Sequence, residues 1–298
     1  MTRQTTSLVT VLIPCFNDGA TLGRAVESAL VQGNVELIVI DDGSSDAQTL
    51  AVLDELEQRG IAVLHQENKG PAAARMAGVH ATSAPYVTYL DADDLLPRGA
   101  LRALAAALDA DPGLAVVWGD LEAFGRVTNY IRKPDVIDPW IETHINELPG
   151  PALFRRTELL AAGGWQLATG YEDWDLWMSL AERGSRGARV PVLAYRYRVH
   201  GGRGWRAHRE RHGEIFAELR RRHPSLFAAR RHNWLRSKAP WRVKLGLPLV
   251  VRLPLPVRVR LAIANALNHP AVVFRAAVVP RLTRAAVALT RSDAAVGR

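Results

Sequence analysis

The stretch YVTYLDADDLLP (Tyr86–Pro97) runs an apolar, β-type segment straight into three carboxylates, Asp91, Asp93 and Asp94, within four residues. Like charges that close repel one another, and burying them unpaired is costly. Either the cluster lies on a solvated turn, or a cation neutralises it. What flanks the strand decides between the two.

Upstream, LVTVLIP (8–14) and ELIVID (36–41) are β-branched runs that stop at turn or acidic residues. Between them Leu22, Ala25, Val26, Ala29 and Leu30 recur at helical spacing. The alternation continues, predicting a helix over 47–58, a strand over 61–65, a helix over 71–81 and the strand 86–90. A helix over 98–109 and a strand at LAVVWG (114–119) follow. Strands alternating with amphipathic helices predict βαβ units: an α/β fold with a mostly parallel sheet covered on both faces. Ligands of such sheets collect beyond the carboxyl ends of the strands. Asp41, Asp42 and the aspartates at 91–94 fall at those ends, which places the cluster in a site. Pro134, Pro139 and Pro149 break the pattern, predicting loops and short strands over 120–150. EDWDLWMSLAERG (172–184) reads as a helix with Trp174, Trp177, Met178 and Ala181 on one face. RVPVLAYRYRVHGG (189–202) reads as a strand, and there is no internal repeat.

The net charge of +8 hides a division. Residues 1–202 hold 17 Lys and Arg against 26 Asp and Glu, a net of −9, whereas 203–298 hold 21 against 4, a net of +17. Two parts with two jobs are expected, a domain over 1–205 and a basic, amphipathic, mainly helical extension over 206–298. Cys15 is the sole cysteine, which excludes a disulfide framework and a cysteine-based zinc site. The N-terminal apolar run stops at Pro14, too short for a signal peptide, so a cytoplasmic setting is expected.

An Asp-x-Asp after a strand can share one hard divalent cation when phosphates and waters complete the shell. Haloacid-dehalogenase-type phosphatases also use Asp-x-Asp, but at their first strand and followed by Thr or Val. Here the motif closes about the fourth strand and continues DLLP, which excludes that reading. The ordered set VTVLIPCFND, ELIVIDDGSSD, NKGPAAARMAG and YVTYLDADD resembles the family-two glycosyltransferases of the glycosyltransferase-A fold. The resemblance resumes at 150–202, where GPALFRR, YEDWDLW and YRYRVHGG look like that family's glycine-containing loop, Glu-Asp motif and closing His segment.

The resemblance implies a Rossmann-like sheet flanked by helices and a nucleotide pocket touched by Pro14, Phe16, Asn17, Asp41 and Asp42. Asn68, Gly70 and Arg75 of the third motif join it, Gly70 permitting a tight approach and Arg75 reaching nucleotide or phosphate. The alternative for Arg75 is an exposed helical charge. Mg²⁺ or Mn²⁺ is the implied cofactor. Asp93 contacts it directly, Asp91 serves the ribose or a water-mediated contact, and His200 joins metal and diphosphate or is structural. Asp94 reads as a cap of the segment that follows. Asp173 is the implied base for an acceptor hydroxyl, with Glu172 in support. Its bland alternative is a helix cap. Trp174 and Trp177 read as core, and Cys15 as a packed loop residue. The implied partners are a nucleotide-diphosphate sugar and a glycan or lipid-linked acceptor, in polysaccharide or glycolipid synthesis.

In the extension, apolar stretches such as LGLPLVVRLPLPVRVRLAIANAL are interrupted by Pro248, Pro254, Pro256, Arg252, Arg258 and Arg260. They fall short of the roughly 20 uninterrupted apolar residues that a span needs. Arginines interleaved with Leu, Val and Trp suit a segment lying in the lipid interface at the inner face of a membrane, a peripheral contact through 206–298. A helical appendage packed on the core is the alternative. Nucleic acid is not an expected partner, because it would leave the acidic body unexplained.

Overall fold

The structure, a computed structural model, describes residues 8–199 and 211–268; His200 and the chain beyond 268 lie outside them. Strand β1 (Val9–Cys15) runs through the middle of the sheet, paired in parallel with β2 (Val35–Asp41) and β4 (Tyr86–Tyr89). β3 (Ala62–His65) extends the parallel part beyond β2. On the other side β7 (Leu153–Arg155) pairs antiparallel to β4 and to β5 (Leu114–Gly125). β6 (Asn129–Ile131) and β8 (Arg186–Val199) both pair with β5. The strand order is β3-β2-β1-β4-β7-β5-β6, with β8 on β5.

Because side chains alternate along a strand, β1 feeds two cores. Val9, Val11, Ile13 and Cys15 pack with α1 (Gly19–Leu30) and α4 (Ala100–Ala110). Leu12 faces the other layer, with α3 (Pro71–Ala81), Tyr89, Trp165 and Trp177. A Cβ on Gly78 would stand 2.6 Å from Leu12 Cδ2, so the absence of a side chain there lets α3 settle on the sheet. The helix α2 (Ala47–Gln58) is capped by Asp46, whose side chain accepts the Thr49 amide at 2.9 Å.

The sequence ends the fifth strand at 119, whereas β5 continues to Gly125 beside β8. The added residues include Asp120, a fully buried carboxylate that is held by Arg189, Tyr130 and the Lys133 amide. Its partners lie 10, 13 and 69 positions on, beyond any local spacing, so its sequence neighbourhood reads as loop. β7, the short α5 (Pro139–Glu142) and α6 (Arg156–Ala161) are too brief for periodicity to reveal.

The chain forms two compact units, Met1–Leu235 and Arg236–Arg298, so the first runs past the division expected at 205. The reason is apolar and ionic together. Ile215 and Leu219 of α8 (His212–Arg222) and Leu226 of α9 (Pro224–Ala228) share a core with Trp174, Met178 and Ala181 of α7 (Glu172–Glu182). Beside it, buried His223 sets Nε2 2.9 Å from Asp175 Oδ1 and Nδ1 2.9 Å from Glu182 Oε2. Both ring nitrogens face carboxylates, so both must donate, and the ring is an imidazolium. Arg222 adds two bonds to Asp175, at 2.7 and 2.9 Å. After α10 (Arg230–Arg236), the second unit pairs α11 (Trp241–Arg252) with α12 (Val257–Asn268).

Burial disfavours the charged His223, yet Asp175 and Glu182 outweigh it and its pKa is raised. Its stabilisation is therefore complete below about pH 6.5 and fades as pH climbs through the folded value. Replacing it, as in His223→Ala, should cost about 3 kcal/mol near pH 6 and distinctly less at pH 9. Urea unfolding at the two pH values measures this; equal losses would deny the imidazolium its role.

Candidate active site

The sheet's carboxyl edge begins with the loop after β1. Asn17 takes φ of 58° there, and its Oδ1 accepts the amides of Ser45 and Asp46, both at 2.9 Å. Asp42 accepts from Gln66 Nε2 at 2.6 Å and from the amides of Lys69 and Gly70 at 2.9 and 2.8 Å. These two side chains build the rim by tying loop to loop. Asp41 accepts the Ser44 amide at 2.9 Å and lies 3.0 Å from His65 Nδ1. Burial would raise its pKa, but Ser44 and His65 prevail and lower it. Phe16 is 46 % exposed, Pro14 is half-buried and Asn68 is exposed. Gly70, with φ of 86°, turns the chain into α3. Burial pushes the Cys15 thiol up to about 11, as expected of a packed residue.

At the end of β4 the three aspartates part company. Asp94 is buried, accepting from the Tyr195 hydroxyl at 2.9 Å and the Arg198 amide at 2.5 Å. Burial and the nearby Asp91 charge lift its pKa to about 8. The expected cap role is thus corrected: Asp94 anchors β8, while Gly99 precedes α4. The Asp91 side chain is 41 % exposed. Even so, limited solvation and the Asp93 charge raise its pKa against the pull of Arg75.

Arg75 is not the exposed helical charge of the alternative reading. Its side chain is only 5 % exposed, with the guanidinium carbon 3.7 Å from the centre of the Tyr89 ring. Nη1 reaches Glu172 Oε1 at 3.0 Å and Asp173 Oδ1 at 3.4 Å, and Nη2 reaches Asp91 Oδ1 at 3.3 Å. Both terminal nitrogens are thus turned to carboxylates, three in all. Asp173 also accepts from the Tyr89 hydroxyl and from Trp165 Nε1, both at 2.9 Å. Burial raises its pKa to about 6, Arg75 restraining the rise while Glu172 and Asp91 add to it. Tyr171, in the left-handed region at φ 62°, turns the chain into α7 and sets Glu172 and Asp173 on its first turn. Trp174 and Trp177 are buried, their indole N–H groups donating to the Glu142 and Pro149 carbonyls, which makes them core.

Tyr89, Trp165, Tyr195 and His65 escaped the sequence reading. Tyr89 stood in the quoted strand, where an alternating aromatic signals only packing. Among the described residues no group of three or more His, Cys, Asp or Glu is arranged to hold a metal. Asp91 and Asp93 offer carboxylate oxygens, the donor chemistry a hard cation takes, with the rest of its shell to come from outside the chain.

The sequence model of Glycosyl transferase family 2 matches residues 10–167, more than half of the chain. The chain belongs to that family. It is 32 % identical to the glycosyltransferase GlyG of Streptococcus pneumoniae over 43 % of this chain and 45 % of that protein. Identity to the succinoglycan biosynthesis protein ExoO of Rhizobium meliloti is 36 % over 34 % of this chain and 30 % of ExoO. Against the chondroitin synthase of Escherichia coli it is 28 % over 59 % of this chain and 27 % of the synthase. The chain thus spans less than half the length of each of these relatives. The fold resembles that of S. aureus TarS 1-349 in complex with UDP-GlcNAc, with a TM-score of 0.56 and 18 % identity over 87 % of this chain and 88 % of the other. It also resembles the mannosyltransferase PcManGT from Pyrobaculum calidifontis in complex with GDP-Man and Mn2+, at 0.53 and 21 %, over 89 % and 81 %.

Gly150 lies against the Asp173 carboxylate. A Cβ there would stand 2.5 Å from the Tyr89 hydroxyl and 2.9 Å from Asp173 Oδ2. Gly150→Ala should therefore lower turnover by about tenfold to a hundredfold while donor affinity holds, since small misplacements of reacting groups carry such factors. Steady-state kinetics beside donor titration would check this, and unchanged turnover would contradict it.

Proposed function

We propose that the chain transfers a sugar from a nucleotide-diphosphate donor to an acceptor hydroxyl with inversion at the anomeric carbon. The observation that supports this best is Asp173. It is a carboxylate with a pKa near 6, held in one orientation by Tyr89, Trp165 and Arg75, and linked through Arg75 to Asp91. A base of that pKa is ionised at neutral pH and retains proton affinity.

In this reading the donor lies over the carboxyl edge of the sheet. Phe16 and Asp41 border its base and ribose, Asp42, Asn17 and Gly70 hold the rim that shapes the pocket, and Asp91 faces ribose or diphosphate. Asp93 and Asp91 would hold Mg²⁺ or Mn²⁺, which when bound supplies positive charge to the departing diphosphate. The acceptor O–H proton passes to Asp173. The oxygen forms its bond to the anomeric carbon as the bond to diphosphate breaks on the opposite face. Glu172 shares the Arg75 guanidinium and keeps the first turn of α7 in register. The acceptor is a glycan or lipid-linked glycan, by kinship with polysaccharide-building relatives, and the protein works peripherally at the cytoplasmic face of a membrane. A binding module without catalysis would need no base, and Asp173 favours the enzyme.

Release of nucleoside diphosphate from UDP-, dTDP- and GDP-sugars, with Mn²⁺ or with EDTA, tests the reading. Asp173→Asn should bind donor within about twofold of wild type and turn over roughly a hundredfold more slowly. Wild-type kcat/KM should rise with pH through about 6, because the base is active only when unprotonated. Donor affinity falling in step with turnover would place Asp173 in binding instead.

A further inference from the structure

Trp241, Leu245 and Leu249 stand four residues apart on α11 and are 76, 55 and 64 % exposed. Val243, Leu247 and Val250 of the same helix are buried. On that side a Cβ on Gly246 would meet Leu267 of α12 at 2.6 Å, and Arg242 Nε donates to the Leu267 carbonyl at 3.0 Å. α11 is thus apolar on two opposite faces, and α12 serves the buried one. Arg242 and Lys244 flank the outward strip, which makes that face amphipathic, an apolar stripe edged by basic residues. The outward strip continues past the helix end through exposed Leu253 and Leu255.

The charge of this unit narrows what the strip can meet. From 236 to 268 there are seven Lys and Arg and no Asp or Glu. Two such surfaces repel, which disfavours a second copy. A nucleic acid would use the cations but not a row of leucines. A bilayer with anionic headgroups uses both: the apolar strip enters the acyl boundary, Trp241 sits at the interface, and the arginines and lysines meet phosphates. Among the described residues no helix is long and apolar enough to cross a membrane, so the fitting geometry is one that lies on the surface.

We propose that the α11–α12 pair is a lipid-docking device that seats Trp241, Leu245 and Leu249 in an anionic bilayer surface, with its basic residues at the headgroups. The proposal rests on the peripheral location given above and assigns it to one helix face. It separates the two units by role: the family site lies in the first, and the membrane contact is made by the second.

The full chain should float with phosphatidylcholine–phosphatidylglycerol vesicles at low salt, and much less with phosphatidylcholine alone or at high salt. The triple variant Trp241→Ser, Leu245→Ser, Leu249→Ser should lose about tenfold or more of that binding, since each buried apolar group adds to interfacial affinity. Circular dichroism and nucleoside diphosphate release from the same preparations report on folding and on the transferase reading separately. A second readout uses the lipid itself: brominated acyl chains should quench tryptophan emission in wild type and distinctly less in Trp241→Phe. Vesicle binding that survives the triple variant, binding that ignores headgroup charge, or equal quenching in Trp241→Phe would each overturn the proposal. Self-association through this face without lipid, or a nucleic acid duplex displacing the protein from vesicles while leaving the triple variant's binding equal to wild type, would overturn it in favour of those partners.

Discussion

A guanidinium closed off from water with three carboxylates around it is a demanding arrangement. Left buried without the carboxylates, the cation would be strongly destabilising. Arg75 comes from α3, whereas Glu172 and Asp173 come from α7, 97 and 98 positions along the chain, and Asp91 from the end of β4. The contact therefore forms only when α3 and α7, which share one layer, are both seated on the sheet. Tyr89 supplies a ring under the cation and a hydroxyl to Asp173, so strand, helix and carboxylate are fixed by the same few atoms. Geometry at the sheet edge follows from that contact.

Other features keep this centre rigid. Asp42 and Asn17 take up loop amides and hold the rim on the β1–β2 side. Asp94 and Tyr195 join the end of β4 to β8. Behind α7, the charged contact of Asp175, Glu182, His223 and Arg222 fastens α8 and α9 to the helix that presents Asp173. Residues that the charge count assigns to a basic extension thus support the site from behind. Two of the three neighbouring aspartates have different partners: Asp91 the arginine, and Asp94 a tyrosine and an amide.

Much of the parallel half was legible because β-branched runs and helical spacing repeat there with little interruption. The Asp-x-Asp and Glu-Asp motifs stood out in the sequence, and the structure brings Asp91, Glu172 and Asp173 to the Arg75 guanidinium. The contacts of Asn17, Asp42, Asp94 and Arg75 were not legible. Each is a polar group whose partner is an amide or carboxylate set by tertiary packing, and spacing carries no record of such partners. The strand through Asp120 was missed for the same reason, and the boundary at 235 because α8 is basic on the outside while Ile215 and Leu219 point inward. His200, expected beside the metal, lies outside the described residues.

The central claim is that Arg75 restrains the proton affinity that burial gives Asp173. The direct measurement is the pH dependence of kcat/KM in Arg75→Met beside wild type, with Arg75→Lys as the variant that keeps the charge. Removing the cation that restrains the rise should move the acidic limb upward from about 6 by about one unit or more. Arg75→Lys should return it most of the way, and donor affinity should change far less than turnover. An acidic limb that stays in place in Arg75→Met, in protein that is folded and binds donor, would contradict the account.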